Sequence, residues 1–332
     1  MNICIATDDN YAGIMAVLMI SILENSNEPQ NLNFHIFEYG VKVKTKNALK
    51  NLCDDYQAAL RLYSIGDYIN TIKKNINSAW ANNNSYVAYA RLYMSDLLDD
   101  TINQFIYLDC DTLVLENLDG LDKVELKDNV IAAVKDVLPY TYKKWMGFDD
   151  GDYFNSGVSV INAKKWRDEN MTKVFFDYCK SHPEDIYPDQ DAINTLLKGR
   201  TLTLPPKYCV FYPEYSWSPE SQLKGYCGDE STFYRKSELK EAGERPAIIH
   251  FTDTVLGRPW QSNNINPNSK QWMKYYNMLP KELKTNFKAK DISWKTSVFR
   301  MLYKILPSEL FCKIYYKRRN DDMKRKMEGK YK

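Results

Sequence analysis

The chain reads as an α/β protein built on a mostly parallel sheet. Short apolar runs of strand length alternate with helix-length runs through the first half. Those short runs are continuously apolar, as strands covered on both faces are. Acidic residues fall repeatedly just beyond their C-terminal ends. The elements follow in order. Asn2 to Ala6 is a strand, and Gly13 to Glu24 a helix apolar around most of its surface. Leu32 to Phe37 is a second strand, followed by a helix near Lys44 to Tyr56 and a third strand from Ala59 to Ile65. Val87 to Leu98 has the composition of a helix. Phe105 to Leu108 and Val130 to Val134 read as strands, and Ala247 to Ile249 as a late strand ending in His250. Residues 262–293 are polar around one helix, a looser connection to a C-terminal tail.

With 332 residues, 44% of them apolar or aromatic, the chain can bury one large core and carry an appendage. The net charge of +2 hides an asymmetry: from Lys295 to Lys332 there are 12 Lys/Arg against 4 Asp/Glu, and 33 against 39 elsewhere. An acidic body with a basic tail predicts an anionic surface as the tail's partner. Seven scattered cysteines without a CxxC pair argue against a disulfide framework or zinc cluster and fit a reducing compartment. No signal peptide or membrane span is visible, so a cytoplasmic location is expected.

Ligands of open parallel sheets bind beyond the strand C-termini. Thr7 to Tyr11, Asp109 to Asp111, Lys135 with Asp136, and His250 all fall there. In extended backbone, Asp109 and Asp111 project to one side and Cys110 to the other. Two adjacent carboxylates repel unless a cation lies between them, and hard oxygens suit Mg²⁺ or Mn²⁺. An ordinary polar loop is the other reading of a bare DxD. His250 is a candidate third ligand, and its nitrogen favours Mn²⁺ over Mg²⁺. His35, inside a strand, and His182, in a polar turn, read as structural. Arg91, among apolar and aromatic neighbours, must face a carboxylate or an anionic ligand. Asn155 precedes a small-residue turn and a strand. Asp189, Gln190 and Asp191 are equally an acidic helix N-terminus.

Taken together, the segments 5–11 (IATDDNY), 87–92 (VAYARL), 107–114 (YLDCDTLV), 154–167, 188–194 (PDQDAIN) and His250 with 258–260 (RPW) resemble glycosyltransferase family 8. The likeness is to its bacterial lipopolysaccharide galactosyl- and glucosyltransferases. It implies a GT-A fold over residues 1–262 with a Rossmann-like sheet, a UDP-hexose donor, Mn²⁺ and retention at the anomeric carbon. It further implies that Ala6, Asp8, Asn10 and Tyr11 bind uridine, and that Asp109, Asp111 and His250 hold the metal. Cys110, Gly257 and Arg258 fall to the nucleotide side. Arg91, Asn155, Asp189 and Gln190 fall to the donor sugar, with Asp136 nearby. Arg258 replaces the family's usual Lys, and Asp253 to Leu256 replace the usual Gly after the metal histidine. Two routes to retention are open: a far-face carboxylate, for which Asp189 is the candidate, or front-face transfer assisted by the leaving phosphate.

Two other classes compete. A sugar nucleotidyltransferase would want a glycine- and lysine-rich loop after the first strand, which residues 7–13 (TDDNYAG) lack. A non-catalytic UDP-sugar-binding protein would not need a complete metal and sugar set. The acceptor is expected to be a glycan or a lipid-linked glycan. After a connection at 263–293, residues 294–332 form a basic, aromatic tail divided at Pro307 into two short helices. Rings beside cations suit an anionic bilayer interface, placing the protein peripherally on the inner face of the cell membrane. Packing of both helices on the catalytic domain is the competing arrangement. Nothing else in the chain supports a nucleic-acid surface.

Overall fold

The computed structural model describes residues 1–76, 85–183, 185–224 and 228–329; Cys227 and the last three residues of the tail lie outside them. The strands are β1 (Asn2–Asp8), β2 (Asn33–Tyr39), β3 (Ala59–Ser64), β4 (Gln104–Leu108), β5 (Thr112–Val114), β6 (Ile131–Lys135), β7 (Phe154–Asn162), β8 (Thr201–Thr203), β9 (Val210–Phe211) and β10 (Ile248–His250). Helices longer than four residues are α1 (Ala12–Asn25), α2 (Val43–Asp55), α3 (Gly66–Asn75), α4 (Tyr140–Trp145), α5 (Ala163–Asp168), α6 (Met171–Ser181), α7 (Pro188–Leu196), α8 (Lys236–Glu244), α9 (Ser269–Met278), α10 (Trp294–Ile305) and α11 (Ser308–Met327).

The main sheet has the order β3-β2-β1-β4-β7-β6-β8, and β5-β10-β9 form a smaller one. β1 runs parallel to β2 and β4, whereas β7 is antiparallel to both β4 and β6. One reversed strand inside an otherwise parallel sheet brings residues from the start of β7 beside the C-terminal ends of β4 and β6. The expected mostly parallel α/β architecture is therefore present, with β7 as its exception. β3 departs from the apolar pattern because it is the sheet's edge, and four of its six residues are exposed.

α1 is buried at every position from Ala12 to Leu23, because it is enclosed by the main sheet, β5 and α9. Its polar groups are satisfied inside: Ser21 Oγ accepts from the Val114 N–H at 3.1 Å, and Asn25 Nδ2 donates to the Tyr275 hydroxyl at 2.8 Å. His35 is structural, as expected, sitting between the Tyr63 hydroxyl at 3.0 Å and Asn2 Oδ1 at 3.1 Å.

Two local expectations change. The segment Val87 to Leu98 is not one helix but a 3-10 turn, Tyr86–Leu92, followed by the short helix Met94–Leu97. Ser85 caps that turn, and a three-residue period eclipses Ala88 and Arg91 on the same side. Asn155 does not precede a turn; it lies within β7, whose first eight residues are all buried.

The tail divides unequally at Pro307. α11 is twenty residues long, and Phe311, Cys312, Tyr315 and Tyr316 join the main apolar core around Trp217. Apolar rings among cations pack as well on a protein face as on lipid, and here α11 has a protein face to cover. α10 is different: Trp294, Val298, Met301 and Ile305 are exposed along one side, while Arg300 anchors the other to the carbonyls of Val255 and Asn263. The connection at 263–293 is also docked, with Trp272 and Tyr275 of α9 buried in the same core. No helix among the described residues is long and apolar enough to cross a membrane.

Candidate active site

A cleft of about 630 Å³ opens beyond the C-terminal ends of β1, β4 and β6. β4 ends at Leu108, and the Thr112 N–H bonds back to the Asp109 carbonyl at 3.1 Å, a tight turn that aims both acids into the cleft. Cys110 turns inward, its thiol on the Ala6 carbonyl at 3.0 Å, as the alternation predicts. His250, at the end of β10, brings Nε2 to 3.1 Å from Asp111 Oδ1 and 3.9 Å from Asp109 Oδ2. Ligand atoms of Asp109, Asp111 and His250 all lie within 4.8 Å of one another.

Gly157 of β7 completes this cluster by what it lacks. A Cβ there would collide with the His250 ring and come within 2.6 Å of Asp109 Oδ2. Three hard or borderline donors, two of which approach as closely as they do only because residue 157 is glycine, fit a divalent cation, and nitrogen among them favours Mn²⁺. Burial raises the Asp111 carboxyl, but His250 and Arg258 more than offset it and hold the group at about 2. Burial would depress the His250 imidazole; Asp111 outweighs that and raises it well above its ordinary value.

Arg91 is buried and joins the metal cluster to the acids of α7. Its Nη2 donates to Asp109 Oδ1 at 2.8 Å, its Nε lies 3.1 Å from Asp189 Oδ2, and its Nη1 bonds Ser156 twice. Burial alone would lower its pKa, yet Asp109, Tyr107 and Asp189 raise it, so the guanidinium stays charged. Asp189 is raised by burial against the pull of Arg91. Gln190 is engaged on both ends: Oε1 accepts from the Ser156 N–H at 3.0 Å, and Nε2 donates to Asp136 Oδ2 at 3.1 Å. Asn155 Nδ2 reaches the same Asp136 oxygen at 2.8 Å. Asp136, Asn155 and Gln190 thus form one buried network.

On the other flank, Asp8 Oδ1 accepts from the Asn10 and Tyr11 N–H groups, both at 3.0 Å, fixing the turn into α1. Arg258 Nη1 donates to the Tyr11 hydroxyl at 2.7 Å, and Nη2 meets Asp111 Oδ2 at 3.0 Å. Its buried Nε has no hydrogen-bond partner among the described residues. Ala6, Asp8 and Tyr11 line the cleft. Asn10 and Gly257 are not among its lining residues. Asn10 is exposed in the turn, and Gly257 is buried with φ +76°, where a Cβ would press on Arg300 and Gln261.

Sequence reasoning missed Tyr107, whose hydroxyl donates to Asp109 Oδ1 at 2.5 Å. The two-residue period of β4 places it on the same side and could have found it. It also missed Ser156 and Gly157, which follow Asn155 in β7. Glu214, Arg319 and Lys326 line the cleft with no signal in their local sequence.

Fold and site together define an α/β protein of the open-sheet class with an Asp-Asp-His cluster, a candidate cation site, beyond its strand ends. The model of glycosyl transferase family 8 matches residues 2–264, and the chain belongs to that family. General stress protein A of Bacillus subtilis (strain 168) is 28% identical over 280 residues, 83% of this chain and 92% of that protein. Lipopolysaccharide 1,2-glucosyltransferase of Escherichia coli (strain K12) is 31% identical over 284 residues, 83% and 76% respectively. Among solved structures, the galactosyltransferase LgtC in complex with donor and acceptor sugar analogues superposes with a TM-score of 0.70 at 24% identity, covering 85% of this chain and 98% of that one. That likeness establishes the GT-A arrangement of the fold. The protein is a glycosyltransferase related to lipopolysaccharide sugar transferases.

Proposed function

We propose that the protein is a retaining, Mn²⁺-dependent hexosyltransferase that moves galactose or glucose from a UDP-sugar to a glycan or lipid-linked acceptor. The observation that carries this reading is the convergence of Asp109, Asp111 and His250 to within 4.8 Å of one another, with Gly157 leaving room for the His250 ring and the Asp109 carboxylate. A cation held there supplies positive charge against the diphosphate as the glycosyl bond breaks. Tyr11 offers its ring to the uracil, and Asp8 its second carboxylate oxygen to the imide N–H. Arg258, already poised between Tyr11 and Asp111, neutralises phosphate. Arg91 and Asp189 orient the hexose, and the Asp136–Asn155–Gln190 network holds the wall behind it rigid.

Calorimetry with UDP tests the assignment: affinity is expected to collapse in chelator and to return better with Mn²⁺ than with Mg²⁺. UDP release from UDP-galactose and UDP-glucose should rise on adding a glycan acceptor, and the product's anomeric configuration should match the donor's. Undiminished UDP affinity in chelator would remove the metal assignment. Peripheral membrane attachment belongs to the same reading, and its support lies in the exposed side of α10, where apolar groups alternate with exposed Lys295 and Lys304.

A further inference from the structure

The donor half of the cleft is accounted for by β1, β4, β7 and β10. Its other half is walled by α11, which packs against α4, the helix that follows β6. Met323 packs in a small apolar cluster with Tyr142 of α4 and Tyr153, and Asn320 accepts from the Thr141 hydroxyl at 3.1 Å. That docking turns Arg319 and Lys326 into the cleft, beside Tyr187 and Glu214. We infer that this end is an anion subsite of the acceptor, in which Lys326 and Arg319 receive a phosphate or carboxylate carried by the acceptor glycan.

The charges favour this occupant. Lys326 is half-buried, its ammonium 5.6 Å from the centre of the Tyr187 ring, and no carboxylate stands within ion-pair distance among the described residues. Asp322, one turn earlier, is engaged by Arg318 and Arg325 instead. Arg319 stands close enough to Glu214 to pull that buried carboxyl down against the effect of burial. Burial, then the neighbouring Arg319, depresses the Lys326 ammonium. Arg319 already faces Glu214, so the charge offered to an acceptor is centred on Lys326; an anion there relieves its repulsion from Arg319, which a neutral sugar does not. Five carboxylates on the donor side, Asp8, Asp109, Asp111, Asp136 and Asp189, would repel the same anion, so it is also directed away from the sugar-transfer point.

The inference rests on the transferase reading, and the test separates the two. The full-length protein, saturated with UDP and Mn²⁺ so that the phosphate site is filled, is titrated with glucose, glucuronic acid and glucose 6-phosphate. At least one charged sugar should bind about tenfold or more tighter than glucose, as one charge-assisted contact provides. Comparing the two charged sugars tells whether carboxylate or phosphate is preferred. Lys326→Gln and Arg319→Gln should each erase most of that advantage, with UDP affinity reporting that the variants are folded. Equal binding of all three sugars, no binding of any, or an advantage that survives in both variants would overturn the subsite. Failure of UDP itself to bind with Mn²⁺ would instead remove the transferase reading, and the subsite with it.

Discussion

Gly157 turns the metal assignment into a steric question. Gly157→Ala places a methyl where the His250 ring and Asp109 Oδ2 already stand, so one of them must move. Mn²⁺-supported UDP binding is expected to weaken by about tenfold or more, since ligand positions tolerate only small displacements. Calorimetry with and without Mn²⁺ measures it, and unchanged affinity would mean that the cation sits elsewhere. Asp191 gives a second residue-scale expectation. Its carboxyl, although it accepts from the Tyr142 and Tyr153 hydroxyls and the Tyr187 N–H, is pushed up to about 7 by burial. An unfolded Asp titrates near 3.9, so between about pH 4 and 7 the native chain holds a proton that the unfolded chain has released. Stability from this group is therefore present at low pH and lost as pH rises through that window. Asp191→Asn should flatten the fall in Tm between about pH 4 and 7; an unaltered slope would assign it to other groups, Asp189 and Glu214 being raised in the same direction. Much of the site could be read at this scale without coordinates. Asp109, Asp111 and His250 announce themselves by following apolar strands, and the strand period sets their direction. Arg319 and Lys326 do not, because a cation in a run of cations reveals its partner only when the helix is docked.

Among the elements, α1 and the inner strands β1, β2, β4 and β6 were readable to within a residue or two, since all-round burial leaves an unbroken apolar run in the sequence; β7, broken by Asn155, Ser156 and Gly157, was not delimited. The 3-10 turn at Tyr86–Leu92 was not. Its side chains satisfy a helical composition, and the bonds it makes through Arg91 to Asp109 and Ser156 are tertiary, invisible in the local sequence. α11 misled for a different reason. A helix carrying Phe311, Tyr315 and Tyr316 among lysines looks the same whether those rings meet lipid or Trp217. The structure makes the distinction measurable. Phe311→Ala should cost about 3–5 kcal/mol, the range for a buried phenylalanine, seen as a loss in thermal or denaturant stability. A change below about 0.5 kcal/mol, the surface range, would return α11 to the status of a detachable tail.

For the molecule as a whole, the two halves of the basic segment have separate expected duties. α11 belongs to the cleft, and α10 faces outward. Trp294→Asp together with Ile305→Asp should abolish co-sedimentation with vesicles containing anionic lipid while leaving Tm nearly unchanged, because both side chains are exposed at 73% and 64%. Wild-type binding should weaken with salt. Vesicle binding that survives the double change would shift attachment to another surface.

The floor and the wall of the cleft also differ in how long they stay shut. β7 lies inside the sheet with a partner on each side, and it carries Asn155, Ser156 and Gly157. α11 is held through its side chains: its rings pack around Trp217, Asn320 accepts from Thr141, Glu309 accepts from Ser218 and Ser221, and Tyr315 donates to Glu214. Amide hydrogens report such differences as clocks: those of β7 should exchange only when the entire chain opens, those of α11 through a smaller, more frequent excursion. Deuterium uptake followed over minutes to days should therefore label the C-terminal helix well before residues 158–161. In that case the enzyme admits a bulky acceptor by lending out its wall for moments at a time, while the floor that aligns the reacting groups never lets go. Uptake at equal rates in both would tie the two together as one unit.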